Sequence, residues 1–598
     1  MLEHESRSRL ISNFRGLAFG LAVIALGFAL FRAEASFLFG VSIILGIAFL
    51  LLVVLHARVI AREEDARRFL WVNEAAEKRV TDAFRSLPDD GSAYAVENHP
   101  YADDIDILGP GSLFQRLCVA HTRFGQATLA QWLLKPATSN VIAERQEVVK
   151  ALAPKLALRQ QLEAESLLVA GMRSGKPTYK PPVDPEPLLA WAEGATQLLN
   201  KSQLSWVAIF LPLLTLTLFA LSRTLGWAPV AWLVPAALQV GLAFALGPAA
   251  NRVFGSVSST EGAFVRYGGM LALLDSMGVG GKFAEKWRAQ TTSEGISASL
   301  AMKEFRSRLG WFDLKHNGLI YPFVNLIFLW DINCTLALER WQRRFGSHVR
   351  GWFEAIGEFE ALSSLAGFLY DEHGFVFPEV EPGFSGFLAE GLGHPLISPD
   401  KRVVNDVALP SGGTALLVTG SNMSGKSTLL RSMGLSTVLA LAGGPVCAQR
   451  LRMGTFSLHT SMRVRDSLQS GVSHFYAELR KLKSVVEAAQ AKENNVFFLL
   501  DEILHGTNSK ERQLGARWVM SELIQLGATG AVSTHDLELC QLPPDQMGRV
   551  ELVHLRENVE NGQMVFDFKV RKGPVTEGNA LRLMRLLGLA VPLVDEPR

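Results

Sequence analysis

A glycine-rich segment in the C-terminal third of the chain has the residue types and spacing that phosphate binding requires. It has the pattern G-x-x-x-x-G-K-S and lies between an apolar run, residues 415–418, and a sequence typical of a helix. Backbone N–H groups of such a loop wrap phosphates, and glycine lets the backbone approach them closely. The lysine suits the β- and γ-phosphates, and the following serine suits Mg²⁺. The segment predicts an ATP and Mg²⁺ site made of Gly420, Ser421, Asn422, Met423, Ser424, Gly425, Lys426, Ser427 and Thr428.

Two later segments carry side chains that suit hydrolysis. Residues 495–500 form an apolar run typical of a buried parallel strand, and Asp501 and Glu502 follow it. The first carboxylate, with Ser427, suits Mg²⁺ coordination, and the second suits deprotonating the attacking water. A third apolar run leads to His535, a candidate γ-phosphate sensor. Acidic pairs and single histidines are also common on surfaces, but the order of these segments along the chain favours the catalytic interpretation.

Length and charge limit the class of protein. A chain of 598 residues predicts two or more domains. Its net charge is +1, with 59 basic and 58 acidic residues, so any contact with DNA must be a local patch. The four cysteines are widely spaced, which favours reduced, packed thiols over zinc or redox chemistry. These cysteines are Cys118, Cys334, Cys447 and Cys540.

The N-terminal region contains two uncharged apolar stretches, residues 16–31 and 36–57. A helix needs about 20 residues to cross a bilayer, so the second is a full span and the first a short one. Arginines flank the pair on both sides, which predicts that both flanks are cytoplasmic. Ala33-Glu34-Ala35 resembles a signal cleavage site, so a secretory signal is the alternative.

A second apolar pair covers residues 204–222 and 227–250, with tryptophans near its ends. Tryptophan favours the membrane interface, so we predict a second transmembrane hairpin, with a buried soluble hairpin as the alternative. The run from Leu319 to Trp330 is too short to span a bilayer and contains Asn325. We therefore predict that this run is a core helix of a soluble domain.

Several motifs repeat, in order, those of a known family. The loop GSNMSGKST (420–428) resembles GPNMGGKST, DEILHGTN (501–508) resembles DEIGRGTS, and STHDLELCQL (533–542) resembles ATHYFELTQL. Residues 466–478 are similar to the segment DDL-x-SG-x-S-x-F-x-x-E. The chain thus resembles the MutS family of DNA mismatch repair proteins, most closely after residue 394.

The resemblance implies an architecture and a partner. The expected fold is an α/β P-loop NTPase domain of the ABC/MutS type, C-terminal to an all-α lever domain, with four transmembrane helices in two hairpins. It also implies a homodimer, in which Ser473 of one protomer reaches the γ-phosphate held by Lys426 of the other. Glu502 and His535 would be catalytic, and DNA is a possible ligand.

The chain departs from the family pattern in three places. His505 stands where the family usually has arginine, and Arg402 stands where an adenine-stacking aromatic residue is expected. Nothing in the sequence resembles the family's mismatch-reading domain. These departures leave mismatch specificity and nucleotide geometry open.

The expected organisation has six segments and a membrane location. The segments are a transmembrane hairpin (1–60), a juxtamembrane helix and linker (61–110), the first part of the lever domain (111–200), a second transmembrane hairpin (201–252), the second part of the lever domain (253–377) and the ATPase domain (378–598). We expect a multi-pass protein of the inner (cytoplasmic) membrane, with the lever and ATPase domains in the cytoplasm. The expected function is ATP binding and hydrolysis at a dimer interface, coupled to DNA in repair; a transporter-like or scaffold role without DNA is the alternative.

Overall fold

The computed structural model describes residues 2–31, 37–170, 182, 184–200, 202–226, 230–258, 261–278, 280–316, 318, 320–421, 423–462, 474–491, 495–505, 507–560 and 563–575. The helices are α1 (Leu2–Phe31), α2 (Phe37–Arg79), α3 (Leu113–Leu117), α4 (Arg123–Leu134), α5 (Ser139–Leu152), α6 (Leu156–Val169), α7 (Glu186–Glu193), α8 (Ser202–Thr224), α9 (Leu233–Ser258), α10 (Glu261–Ser276), α11 (Lys282–Thr291), α12 (Ala298–Leu309), α13 (Tyr321–Phe328), α14 (Trp330–Phe345), α15 (Val349–Asp371), α16 (Lys426–Ala442), α17 (His474–Gln490) and α18 (Ser509–Gln525). The strands are β1 (Thr292–Ser293), β2 (Ile296–Ser297), β3 (Glu379–Glu381), β4 (Phe387–Leu392), β5 (Asn405–Leu409), β6 (Ala415–Thr419), β7 (Arg450–Gly454), β8 (Phe456–Ser461), β9 (Asn495–Asp501), β10 (Thr529–Thr534), β11 (Val550–Glu560) and β12 (Gln563–Lys572).

Four of the described helices are long and apolar enough to cross a membrane, judged by length and composition alone. They contain Leu10–Leu30, Phe37–Arg79, Gln203–Thr224 and Leu233–Gly255. Their apolar side chains face outward, since at most 17% of the most apolar window of each helix is buried. Outward-facing apolar helices are unstable in water and suit a lipid environment.

Helix α2 joins two predicted segments. The predicted second span and the polar helix expected after it form one continuous helix of 43 residues. Its apolar N-terminal half is exposed. Near its C-terminal end, Ala75 is buried with Phe84 and Leu87, and Val72 is buried against α6 of the helical body, which consists of helices α3–α7, α10–α12, α14 and α15. A single helix thus runs from the apolar hairpin into the soluble part of the chain.

The segment 87–110, expected to be a linker, is packed into the core. Tyr101, Ile105 and Ile107 are buried with the helical body, and Asp104 is buried beside Lys481. The Lys481 ammonium lies 2.6 Å from one Asp104 carboxylate oxygen. Turn-forming residues dominate the composition of this segment and conceal the few apolar side chains that anchor it.

The segment around α13, which was predicted to be a core helix, is mostly not buried. Helix α13 lies within it, but none of the α13 residues is buried, so the prediction was wrong. The length of this segment excludes a full membrane span. Length alone, however, does not distinguish a helix buried in protein from one exposed on an apolar surface.

The C-terminal domain is built on a six-stranded sheet with the order β12-β11-β6-β10-β9-β8. The five strands from β11 to β8 are parallel, and β12 is antiparallel to β11. Both faces are covered: Phe497 and Leu499 of β9 point into the core shared with the helical body, whereas Phe498 and Leu500 point to the other face. This explains why the central strands are continuous apolar runs. A smaller sheet, β3-β7-β4-β5, lies beside it.

A buried ionic cluster fixes the end of α2 to the helical body. Arg79 donates a hydrogen bond of 2.8 Å to Glu163 of α6, and both side chains are nearly inaccessible. His121 lies between Glu163 and Asp89, at 3.7 and 3.4 Å. Burial lowers the pKa of His121, but the two carboxylates outweigh it and raise that pKa to about 9. Burial raises the pKa of Glu163, and Arg79 and His121 bring it below its usual range.

We predict that Arg79→Met destabilises the protein, because Glu163 would remain buried with half of its compensation removed. Breaking one partner of a buried pair costs about 3–5 kcal/mol. The measurement is the free energy of unfolding of the full chain in detergent. Lys483→Met is the matched control, since its pair with Glu487 is exposed and is worth under about 1 kcal/mol. Equal stability of the two variants would contradict the role of the cluster.

Candidate active site

The glycine loop lies between the end of β6 and the start of α16. Gly420 and Gly425 have φ of +148° and +104°, which side chains rarely tolerate. A Cβ on Gly420 would lie 2.7 Å from Ser424 Oγ, and a Cβ on Gly425 would lie 2.9 Å from the Phe568 ring. The loop therefore closes tightly on itself only because glycine occupies both positions.

Lys426 is folded back into this loop. Its ammonium donates hydrogen bonds of 2.9 Å to the carbonyl oxygens of Gly420 and Ser421, and the side chain is only 4% exposed. It also lies 3.1 Å from Glu502 Oε1. The lysine charge is thus held at the centre of the loop, where an anion can replace the carboxylate as its partner.

The first turn of α16 is open to an anion. Gly425 is the N-cap residue and provides no side-chain hydrogen bond to the first N–H groups. Ser424 Oγ is buried and has no hydrogen-bond partner among the described residues. Unpaired backbone donors and the positive end of the helix dipole favour phosphate at this place. Ser427 and Thr428 are exposed on the same turn.

The register of the sheet brings the loop and the acidic pair together. Ser533 of β10 is opposite Val418 of β6 on one side and Asp501 of β9 on the other. Parallel strands end at one edge of a sheet, so the glycine loop, the acidic pair and His535 emerge together. Ser533 also donates a hydrogen bond to Asp501 Oδ1.

Glu502 is held from several directions. Its φ is +47°, and its N–H donates to the Ser533 carbonyl oxygen at 3.1 Å. One carboxylate oxygen lies 3.1 Å from His505 Nε2, and the other lies 3.7 Å from His535 Nδ1. Burial raises the pKa of Glu502, but Lys426 and the two histidines outweigh it, so the net shift is below the usual range. The group is therefore ionised at neutral pH and able to accept a proton.

Two sets of residues have donor atoms that suit a metal ion, and one of them is gathered in the described structure. The Ser427 hydroxyl and the Asp501 carboxylate are hard oxygen donors that suit Mg²⁺. Glu502, His505 and His535 each offer one ligand atom within 4.8 Å of the others, a set that suits softer ions. The Lys426 ammonium contacts Glu502 and opposes a cation there, so the first set fits Mg²⁺ better.

A cleft of about 120 Å³ opens beside the loop. Phe568, Leu555, Val403 and His394 contribute to its walls, and Thr428 marks the end next to the loop. The Asn405 side chain fixes the backbone of Phe568 by donating a hydrogen bond of 2.9 Å to its carbonyl oxygen. Burial, with Arg431 and Arg402, lowers the pKa of His394 to about 4, so the imidazole is neutral. The cleft combines apolar walls with the polar side chains of Lys401 and Asn405 and is adjacent to the phosphate loop, which suits a nucleobase.

Arg402 does not line this cleft. Its side chain donates to Glu372 at 3.2 Å and to the Ile397 carbonyl oxygen at 2.9 Å, and it lies over the Phe375 ring. Glu372 also accepts a hydrogen bond of 2.8 Å from Arg116. Arg402 therefore joins the ATPase domain to the helical body, and the aromatic residue nearest the loop is Phe568.

The predicted residues are only partly brought together. Lys426, Glu502 and His535 form one contact set, and Asp501 lies beside it through Ser533. Met423 is 84% exposed at the outer side of the loop. Asn422 and Ser473 lie outside the described residues.

Sequence reasoning missed three contributors. The role of Ser533 follows from its register opposite Asp501 and could have been inferred from parallel pairing. Phe568 lies in the terminal hairpin, far along the chain, and has no local signal. Glu557 accepts a hydrogen bond from the Ser421 hydroxyl across the sheet, and nothing in the local sequence indicates this contact.

A parallel sheet that carries a glycine loop, an adjacent buried lysine and an acidic pair at one edge defines a nucleotide-binding α/β domain of the P-loop ATPase class. Comparison with known families identifies it further. Residues 416–598 match the model of MutS domain V, so this C-terminal part of the chain is similar to that domain of the MutS family. The resemblance predicted from the motifs is confirmed.

Curated relatives match a similar part of the chain. DNA mismatch repair protein MutS of Chlorobium phaeobacteroides is 32% identical over 243 residues, which are 39% of this chain and 27% of the relative. The protein of the same name from Lysinibacillus sphaericus is 29% identical over 274 residues, 45% of this chain and 31% of the relative. That of Geobacillus kaustophilus is 30% identical over 269 residues, 44% and 29% respectively. The chain therefore spans less than a third of the length of these relatives.

We predict that Gly425→Ala destabilises the domain by about 1–3 kcal/mol, because it combines a strained φ with a collision against the Phe568 ring. Phe568→Ala removes the collision but not the strain. In the double variant the cost of Gly425→Ala falls by about 1 kcal/mol, measured as the coupling in a double-mutant cycle of unfolding free energies.

Gly374→Ala is the control for this cycle. Gly374 has φ +102° and open space where a Cβ would lie, so it carries the strain alone. The loss of unfolding free energy caused by Gly374→Ala should be the same with and without Phe568→Ala. Additive costs for Gly425→Ala and Phe568→Ala would show that the ring does not press on the loop.

Proposed function

We propose that the protein is a membrane-anchored, Mg²⁺-dependent ATPase of MutS type that works as a homodimer. The single observation that supports it best is the 3.1 Å contact between Lys426 and Glu502 inside the glycine loop. A phosphate-binding cation and a candidate base share one small volume, which is the placement that hydrolysis of a terminal phosphate needs.

The residues act on ATP in separate roles. The loop N–H groups and Lys426 bind the phosphates, and the cleft beside Phe568 takes the base. Once the phosphates pair with the Lys426 ammonium, Glu502 loses that contact and is free to orient and deprotonate the attacking water. His535, 3.7 Å from Glu502, is placed to contact the γ-phosphate. Mg²⁺ held by Ser427 and Asp501 would neutralise charge on the phosphates.

We predict that Glu502→Gln retains ATP binding but lowers the turnover rate by about 100-fold or more, because the general base is lost while the loop is unchanged. Lys426→Ala should weaken binding by about tenfold or more, through loss of charge-assisted hydrogen bonds worth about 1.5–3 kcal/mol. Binding of a fluorescent ATP analogue and phosphate release from the detergent-solubilised protein measure the two effects.

Glu487→Gln is the matched control, since Glu487 is an exposed carboxylate on α17 of the same domain. It should hydrolyse ATP at the rate of the unchanged protein. Hydrolysis by Glu502→Gln at that same rate would refute the assignment of the base. Retention of ATP by Lys426→Ala with unchanged affinity would refute the phosphate site.

The membrane location is part of the proposal. Four apolar helices, with arginines on both sides of the first pair, support a multi-pass protein of the inner (cytoplasmic) membrane. This topology keeps the lever and ATPase domains in the cytoplasm, where ATP is available. Ser473 of one protomer would complete the site of the other, as the family resemblance implies.

We also propose DNA as the ligand of the helical body, because the matched relatives are named as DNA mismatch repair proteins. Lys303 and Arg306 on α12 and Arg340 and Arg343 on the neighbouring α14 are exposed and basic. A local basic surface of this kind can bind phosphates despite a net charge of only +1. A transporter-like or scaffold role is the alternative.

We predict that the solubilised protein binds duplex or branched DNA with an affinity that falls steeply as salt rises from about 50 to about 200 mM. Reversal of charge at Lys303, Arg306 and Arg343 should reduce both the affinity and its salt dependence. Lys483→Glu, on the opposite domain, should leave both unchanged. If the affinity for DNA changes neither with salt nor with the triple substitution, the proposal of DNA as the ligand is wrong. The transporter-like or scaffold role would then be the remaining proposal.

A further inference from the structure

Helix α13 is an apolar helix in which no residue is buried. Its sequence, YPFVNLIF, is apolar except for Tyr321 and Asn325, and none of its residues is buried. Phe323 is 68% exposed, and Leu326, Ile327 and Phe328 are each at least 40% exposed. A helix that is apolar around its circumference belongs inside a protein core or a membrane.

The neighbours of α13 are two of the candidate membrane helices. It packs against α8 and α9 and is followed directly by α14. The chain bends by 72° between α13 and the helices after it, at Leu329, which has φ +49°. Leu329 is fully buried in a cluster with Leu204 and Ala208 of α8. The bend is therefore fixed against a predicted span, while the outer face of α13 continues the exposed apolar surface of that hairpin.

The bend frees backbone carbonyl groups, and side chains satisfy them. Gln239 of α9 donates a hydrogen bond of 2.9 Å to the Ile327 carbonyl oxygen, and Asn333 of α14 donates one of 2.9 Å to that of Phe328. Gln239 is 2% exposed, and its side-chain amide oxygen accepts a hydrogen bond of 2.7 Å from the Thr215 hydroxyl of α8. Hydrocarbon requires such internal partners for every broken helix, whereas water would supply them at an exposed break.

Groups that favour a membrane interface lie at the first residue of α13 and at the start of α14, directly after the bend. Tyr321 donates its hydroxyl to Asp331 at 2.7 Å, and Lys315 pairs with the same carboxylate at 3.0 Å. Trp330 donates its indole N–H to the Trp311 carbonyl oxygen at 2.9 Å. Tryptophan, tyrosine and a neutralised ion pair are what the boundary between headgroups and hydrocarbon accommodates.

We propose that α13 is a re-entrant helix that enters the hydrocarbon layer beside α8 and α9 and leaves it on the same side. Its partner is the acyl-chain region of the bilayer, and Phe323 contacts lipid directly. The inference rests on the proposed membrane location. It adds a fifth inserted element, which the length of the sequence run excludes as a full span, and it connects the bilayer directly to α14 and the helical body.

The test uses the full chain in phosphatidylcholine–phosphatidylglycerol vesicles, with one nitroxide spin label per molecule. Cys118, Cys334 and Cys447 are buried, so Cys540→Ser alone provides an unreactive background. Labels are attached at Phe323→Cys, at Phe244→Cys in α9, and at Trp518→Cys in α18. Phe244 is 79% exposed on a proposed span, and Trp518 is 59% exposed on the ATPase domain.

Paramagnetic relaxation by oxygen and by a water-soluble nickel chelate reports the surroundings of each label. We expect the label at 323 to match the label at 244, with high oxygen and low nickel accessibility, and the label at 518 to show the reverse. A label at 323 that matches 518 while 244 remains in lipid would overturn the re-entrant helix alone. Low accessibility to both reagents at 323 would also overturn it and would indicate a second protein surface as the cover. A label at 244 in water would overturn the membrane location as well.

Discussion

The candidate active site depends on the register of three neighbouring parallel strands. Ser533 of β10 lies opposite Val418 on one side and Asp501 on the other, so β6, β10 and β9 end at the same level. A shift of one residue in either pairing would turn Asp501 or Ser533 to the other face of the sheet. The apolar side chains fix that register, because alternate residues of β9 fill two different cores. Packing far from the loop thus decides whether Lys426 meets Glu502.

The same constraint explains why some of the site could be predicted and some could not. The loop, the acidic pair and His535 each follow an apolar run directly, and parallel strands bring such positions to one edge without further information. The burial of residues 101–107 and the position of Phe568 depend on contacts between segments hundreds of residues apart. Those contacts leave no periodic pattern in the local sequence, so composition indicated only a linker before residue 110 and gave no sign of the position of Phe568.

Arg402 shows a different limit. Comparison with the family motif suggested a position facing the base, but the side chain turns away and pairs with Glu372. Glu372 lies between Arg402 and Arg116, so one buried carboxylate holds two guanidinium groups from different parts of the chain. Burial lowers the pKa of Arg116, and Glu372 and Asp371 offset part of that shift. Arg402 thus forms part of a buried ionic contact between the ATPase domain and the helical body.

The helical body and the ATPase domain are held as one packed unit. A single core continues from Tyr101 through the helical body to Leu555. Helix α16, which begins at the glycine loop, ends against the body: the Leu441 carbonyl oxygen accepts from Ala137, and that of Ala442 accepts from Arg145. Close-packed cores have few discrete arrangements and do not deform continuously, so a displacement of the loop helix must be taken up by α4 and α5. The buried Arg79–Glu163 pair then fixes that body to α2 and its apolar half. Among the described residues, direct contacts within one chain therefore connect the helix that begins at the glycine loop to α2 and its apolar half.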